Sequence, residues 1–262
     1  MICNIFYYLC TPKMKKLFVI LSLLAVCACS QAQVKQYRPK VVKEYPHDMA
    51  AYTQGLFFHG GKLYETTGQY GASTIRTVNL ATGKPIVEKK LNRKYFGEGS
   101  VILGEDLYIL TWKNKVAFRY DAATLTFKET LSYPREGWGL TTDGKQLIAS
   151  DGTPTLYFLD KKLNVQKKIT VTLNGRPLRN LNELEWIDGK IWANVYMTDI
   201  IAIIDPATAK VEATVDCTGL LPDELYTSAT DVLNGIAIDA TGKIYVTGKN
   251  WPKMYQIELI NK

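Results

Sequence analysis

The segment QGLFFHGGKLYETTG, residues 54–68, sets two alternating runs on either side of a Gly-Gly turn, the pattern of a β-hairpin. It recurs. EGSVILGEDLYILTW (98–112), WGLTTDGKQLIASDG (138–152), NELEWIDGKIWANVY (182–196) and NGIAIDATGKIYVTGK (234–249) repeat a short strand, a Gly-containing turn and a second strand. The aligned second-strand residues are Tyr64, Tyr108, Ile148, Trp192 and Tyr245, separated by 44, 40, 44 and 53 residues. Each hairpin is followed by further strand-like sequence, such as TIRTVNL and PIVEKKL or IIAIID and KVEATVD, joined by turns such as Asp205-Pro-Ala-Thr. Four strands in about 40–45 residues, recurring at this period, predict an all-β fold, a five-bladed β-propeller. The last repeat has only three strands. VVKEY at 41–45 is therefore expected to pair as the outer strand of the last blade and to lock the ring.

Equivalent positions of a propeller repeat encircle its axis, so the alignment also predicts a site. The first position, just before the innermost strand, is Gln54, Glu98, Trp138, Asn182 and Asn234; the position that ends the second strand is Gly68, Trp112, Gly152, Tyr196 and Lys249. Both should face one mouth of the channel. Channel mouths are polar wherever they are wet, and aromatic residues also pack blades. For the tryptophans the repeat discriminates: Trp186 and Trp192 align with core positions, whereas Trp112, Trp138 and Trp251 stand at strand ends where other repeats have small residues, so these three are expected in a ligand cage.

Before the repeats lies a different kind of sequence. Of the formal charge of +7, a net +6 falls in residues 1–45, which leaves the rest of the chain close to neutral and argues against a phosphate-backbone binder. With 47% hydrophobic and 22% charged residues the 262-residue chain has the composition of an ordinary globular protein. Met14-Lys-Lys followed by LFVILSLLAV has the charged and apolar regions of an export signal, and Met14 reads as the true start. Val26-Cys27-Ala28-Cys29-Ser30 resembles a bacterial lipobox with Cys29 as the lipidated residue; cleavage after Ala32 is the alternative. The expected organisation is a leader over 1–29, a polar tether over 30–40 and one propeller domain over 41–262. The expected location is the periplasm or outer membrane surface, with a lipid anchor as the one membrane attachment.

The chemistry available past the leader is narrow. Its only histidines are His47 and His59, and Cys217 is its one thiol, so a His/Cys zinc site would lack ligands and no metal or cofactor is expected. His59 falls in a hairpin turn. Asp48 is expected to brace the loop around His47 through the backbone, and Cys217 to be a small buried residue. Glu98 is the one carboxylate of the first ring, flanked by Phe96 and two glycines. Apolar surroundings disfavour its charged form and move its pKa toward the range useful for general acid/base work.

At these residues the chain resembles the plant- and bacterial-type glutamine cyclotransferase family. The motifs are PHDMAAYTQGL (46–56), TGQYGAST (67–74), FGEG (96–99), LTWKN (110–114), GWGL (137–140), SDG (150–152), RNLNELEW (179–186), WANVY (192–196), LNGIA (233–237) and GKNW (248–251), in register from about residue 41 to the end. The resemblance implies a five-bladed propeller that cyclises N-terminal glutamine of peptides or exported proteins to pyroglutamate. It places the catalytic acid/base on Glu98 and pocket roles on Gln54, Phe96, Trp112, Trp138, Asn182 and Lys249. Tyr196 departs from the family pattern, where Trp is usual. Glu183, Asn234 and Trp251 complete the expected substrate-binding set, and a monomer is expected. Two rivals share the architecture: a metal-dependent lactonase-like hydrolase drawing on Asp151, Glu183 and Asp231, and a non-catalytic surface propeller that binds protein or glycan.

Overall fold

The computed structural model describes residues 33–262, whose secondary structure is strands apart from one 3-10 turn, Asp223–Leu225. Three four-stranded antiparallel meanders follow one another, Thr53–His59 through Lys84–Lys90, Gly97–Leu103 through Phe127–Ser132, and Leu140–Thr142 through Val165–Thr170. A ten-stranded sheet holds the remaining strands. It contains a fourth meander from Leu181–Ile187 to Lys210–Asp216, then Leu233–Ile238, Ile244–Gly248 and Lys253–Asn261. The fold is all-β and propeller-like.

Local sequence explains the hairpins. His59 pairs with Lys62 across Gly60 and Gly61, both at positive φ, which only glycine adopts without strain. Burial then falls from the inner strand outward. Gly97–Leu103 is buried on both faces, while Lys84–Lys90 is exposed along its whole length, which is why the inner strands read as apolar and the outer ones as charged. Apolar clusters join each meander to the next. Leu56, Leu63 and Val78 of the first meander meet Ala237, Tyr245 and Met254 near the end of the chain, so the packing returns on itself.

The strand anticipated at 41–45 does pair antiparallel with Lys253–Asn261, but it is longer, Lys35–Pro46. Its first residues also run parallel to Ala213–Val215. Residues 35–40 are thus part of the sheet and not of the tether expected over 30–40, whose first residues, 30–32, lie outside the described residues. They read as tether because an outermost strand exposes both faces and so lacks alternation; the unpaired backbone edge of Lys253–Asn261 recruits them nevertheless. Cys29 and the rest of the leader lie outside the described residues.

Candidate active site

One irregularity builds the mouth. The innermost strands break register at their first residues, between Thr53 and Gly55, Gly97 and Ser100, Leu181 and Leu184, and Leu233 and Ile236. Gln54, Glu98, Asn182 and Asn234 sit inside these bulges, which re-aim side chains out of the ladder. Across each bulge the second ring bonds to the residue two before the first: Gly68 N–H to the Tyr52 carbonyl (2.7 Å), Trp112 to Phe96 (3.1 Å), Tyr196 to Asn180 (2.8 Å) and Lys249 to Val232 (2.9 Å). The rings are thereby fixed to each other by backbone hydrogen bonds.

Between them lies a cavity of about 150 Å³, lined by Gln54, Glu98, Asn182, Lys249 and five aromatic residues. A space of about this size accommodates a benzene-sized group. The aromatics form a belt. Tyr52 meets Phe96 edge-on (6.1 Å between centroids), Phe96 meets Trp112 (5.5 Å) and Trp138 meets Tyr196 (5.6 Å). Lys249 Nζ bridges Tyr196 and Tyr52, 4.8 and 4.7 Å from their ring centres. Glu136 bridges the other gap, its Oε2 accepting the indole N–H of Trp112 at 3.0 Å and of Trp138 at 3.3 Å. Two glycines of the second ring give the belt its seats. A Cβ on Gly68 would stand 2.3 Å from the Phe96 ring, and one on Gly152 would stand 2.6 Å from the Trp138 indole.

Glu98 is buried at this cavity. Desolvation by burial pushes its pKa well above the carboxylate range; Lys249 opposes the shift and Glu136 adds to it. Lys249 moves the other way, its pKa lowered by burial despite the nearby charges of Glu98 and Asp231. The site therefore holds a carboxyl group and an amine whose charged forms are both disfavoured, a combination suited to proton transfer. Asn234 donates from Nδ2 to the Thr53 carbonyl (2.8 Å) and to Gln54 Oε1 (3.2 Å), which orients the Gln54 amide from behind.

Three residues of the expected set lie off the cavity lining. Asn234 is fully buried behind Gln54. Glu183 takes the second repeat position, occupied in the other repeats by Gly55, Gly99, Gly139 and Gly235, and its two oxygens accept the backbone N–H groups of Leu56 (3.2 Å) and Ile236 (2.9 Å) from other inner strands. It is a support between inner strands and not a wall of the pocket. Trp251, expected in the cage, is 2% exposed; the chain turns at Asn250 (φ 59°) and lays the indole over Gly248, with Nε1 donating to the Asp231 carbonyl at 2.9 Å. Lys249 holds the ring position, and two residues later the chain has turned inward.

Two residues of the belt escaped the alignment. Tyr52 and Glu136, like Phe96, stand two residues before the first ring, just outside the aligned window; extending the repeat by two positions would have found them. His47 is a buried partner of Glu65 (Nε2 to Oε1, 2.9 Å) and of the Trp251 carbonyl (Nδ1, 2.7 Å) and does not reach the cavity. Asp48 does brace its loop, accepting from Ala50 N–H, and also binds Arg76. The carboxylates on which a lactonase-like site would draw are separately engaged: Asp151 with Thr153 and Tyr157, Asp231 with Tyr52, Glu183 with backbone. Among the described residues no three His, Cys, Asp or Glu side chains cluster as metal ligands.

The family model for glutamine cyclotransferase matches residues 15–259. A glutaminyl-peptide cyclotransferase of Arabidopsis thaliana is 45% identical over 226 residues, 84% of this chain and 71% of that protein. The crystal structure of Myxococcus xanthus glutaminyl cyclase superposes with a TM-score of 0.82 at 33% identity, over 88% of this chain and 100% of that one. The match spans both the strand repeat and the bulged mouth, and the chain belongs to the glutamine cyclotransferase family.

Proposed function

We propose that this protein cyclises the N-terminal glutamine of peptides to pyroglutamate with release of ammonia. The observation that carries the reading is Glu98, a buried carboxyl group with a raised pKa at a small aromatic cavity in a chain of this family. In the proposed reaction the α-amine attacks the side-chain amide carbon, forming the ring C–N bond. In its ionised form Glu98 accepts the amine proton and then returns it to the departing amide nitrogen, which leaves as ammonia as its bond to carbon breaks. One group shuttling one proton balances the reaction, and no water or cofactor enters. The α-amine has an ordinary pKa of about 7.7–8.0, so a useful neutral fraction exists at physiological pH. Both reacting groups belong to one residue, and the cavity's contribution is to hold the cyclising rotamer.

The negative charge that develops on the amide oxygen needs a donor. The indole N–H groups of Trp112 and Trp138 are engaged by Glu136 and the Tyr52 hydroxyl by Asp231, which leaves Lys249, the Tyr196 hydroxyl and the amides of Asn182 and Gln54 as the groups for that role. Removing the shuttle with Glu98→Gln is expected to lower kcat by about 10²–10⁴-fold, the usual worth of a general acid/base. The assay is ammonia release from a Gln-initiated dipeptide. Near-normal turnover by the variant would overturn the assignment.

The finer architecture belongs to the same proposal. The meanders, the returning packing and the Lys35–Pro46 strand beside the last strands support five blades closed by the N-terminal strand. The exported, lipid-anchored state rests on the leader sequence, and an open mouth that leaves the rest of the peptide in solvent supports broad tolerance for its second residue. Fatty-acid labelling that survives Cys29→Ala would refute the anchor.

A further inference from the structure

The belt around the cavity is continuous from Tyr52 through Phe96 to Trp112 and from Trp138 through Tyr196 and Lys249 back to Tyr52. Between the Trp112 and Trp138 rings there is no direct contact; the side-chain link is the single oxygen Glu136 Oε2, beside a backbone tie in which Gly137 N–H donates to the Trp112 carbonyl at 3.2 Å. Glu136 is itself exposed at the mouth, where water would satisfy either indole N–H separately. Only an acceptor shared by both fixes the angle between the two indoles.

We propose that Glu136 is a positioning residue of this site, the clasp that closes the aromatic belt by holding Trp112 and Trp138 on one carboxylate oxygen so that the two indoles form a pre-set slot for the glutamine side chain. This rests on the cyclase reading above. Trp112 and Trp138 come from different meanders; Gly137 N–H ties their backbones by donating to the Thr111 and Trp112 carbonyls at 3.0 and 3.2 Å, and the Glu136 oxygen ties the indoles themselves. The remaining sides of the slot are already fixed. Phe96 is seated on Gly68 and Trp138 on Gly152, while Trp112 rests edge-on against Phe96, which leaves rotation of the two indoles as the freedom that Glu136 removes.

A second consequence follows from charge. The groups facing Glu98 are Lys249, Glu136, Tyr52 and Tyr196, and of these Glu136 is the one whose charge, after desolvation, adds to the upward shift of the Glu98 pKa. The clasp thus couples the geometry of the slot to the proton affinity of the shuttle, and two variants separate these effects. Glu136→Ala removes the acceptor and the charge. Glu136→Gln keeps a carbonyl oxygen for the indoles and removes only the charge.

The experiment measures kcat and KM for a Gln-initiated dipeptide, the pH profile of kcat/KM and intrinsic tryptophan emission for the wild type and both variants. For Glu136→Ala, KM is expected to rise about tenfold, the equivalent of one lost hydrogen bond to a charged group, with altered tryptophan emission. For Glu136→Gln, KM and emission should stay near wild type while the Glu98 limb of the profile moves to lower pH. The proposal fails if Glu136→Ala leaves KM and emission unchanged, or if Glu136→Gln is as impaired as the alanine variant with the limb unmoved. If Glu136→Ala does not fold, the pH limb of Glu136→Gln decides. A wild-type protein that releases no ammonia would remove the cyclase reading instead; the emission spectra would still test the clasp.

Discussion

Replacing His47 with Gln tests the buried network where the N-terminal strand meets the end of the chain. His47 Nδ1 faces the Trp251 carbonyl, which can only accept, and Nε2 faces Glu65, whose carboxyl is drawn down to about 2, with His47 and Arg76 overcoming the effect of burial. Both ring nitrogens must then donate, so the imidazole is held as a cation. Its pKa is raised because Glu65 and the Trp251 carbonyl outweigh burial and the repulsion of Arg76. His47→Gln removes the cation but leaves Glu65 bound to Arg76 at 2.7 and 2.9 Å and to Thr53 at 2.7 Å. The cost is therefore below that of a fully broken buried pair, roughly 2–3 kcal/mol. At about 2–4 °C per kcal/mol for a domain of this size, Tm falls by roughly 4–12 °C. The sign of the pH dependence is fixed by the raised pKa. The stabilisation is complete below the unfolded histidine value of about 6.5 and is lost as pH rises through the folded value. Thermal unfolding followed by circular dichroism from pH 6 to pH 9.5 should therefore show the gap between wild type and variant narrowing with pH. Glu65 does not interfere in that range, since its own contribution is lost only as pH falls from its unfolded value toward about 2. A gap that is the same at both ends of the range would refute the charged histidine.

Other perturbations separate the pocket from its support. Gly68→Ala drives a methyl group into Phe96 and is expected to lower kcat/KM by roughly 10- to 100-fold, whereas Gly60→Ala, with nothing within 4 Å but a φ of +56°, should reduce stability by about 1 kcal/mol and leave turnover intact. Equal activity of the two variants in the dipeptide assay would contradict the seat. Glu183→Ala leaves the Leu56 and Ile236 N–H groups without acceptors, at roughly 1–3 kcal/mol each, and Glu183→Gln keeps one acceptor; urea denaturation should rank alanine as the more damaging change, and the reverse order would disprove the support role. Cys217 is 2% exposed and burial pushes its thiol up to about 12, so the native protein should resist a bulky thiol reagent that labels the unfolded chain at once. Rapid labelling of the native form would mean that the strand end at Asp216 opens.

Much of the fold was legible because its information is local. The Gly-Gly turn at 60–61 and the alternation on either side of it are readable within fifteen residues, and the period then repeats the reading along the chain. The outermost positions were harder. A strand exposed on both faces loses alternation, so Lys35 to Lys40 looked like a tether although their backbone is paired. The pocket was legible in the same way and to the same depth. Residues at the aligned positions were placed at one mouth by the period alone, but Tyr52 and Glu136 stood outside the aligned window. Trp251 was misassigned because a strand end is a sequence feature, whereas the turn at Asn250 that sends its indole inward depends on the space over Gly248.

By itself the sequence determined that the chain is built of repeated antiparallel strands, that one carboxylate stands among aromatic residues, and that the net positive charge falls ahead of the repeats. These follow from residue type and spacing, which act through the backbone over a few positions. Tertiary structure alone decided which side chains share an atom. One oxygen of Glu136 serves two tryptophans 26 residues apart, Lys249 lies between tyrosines 144 residues apart, and Glu183 binds backbone from two other inner strands. Such contacts depend on the distances between packed sheets, and a linear pattern carries no record of those distances.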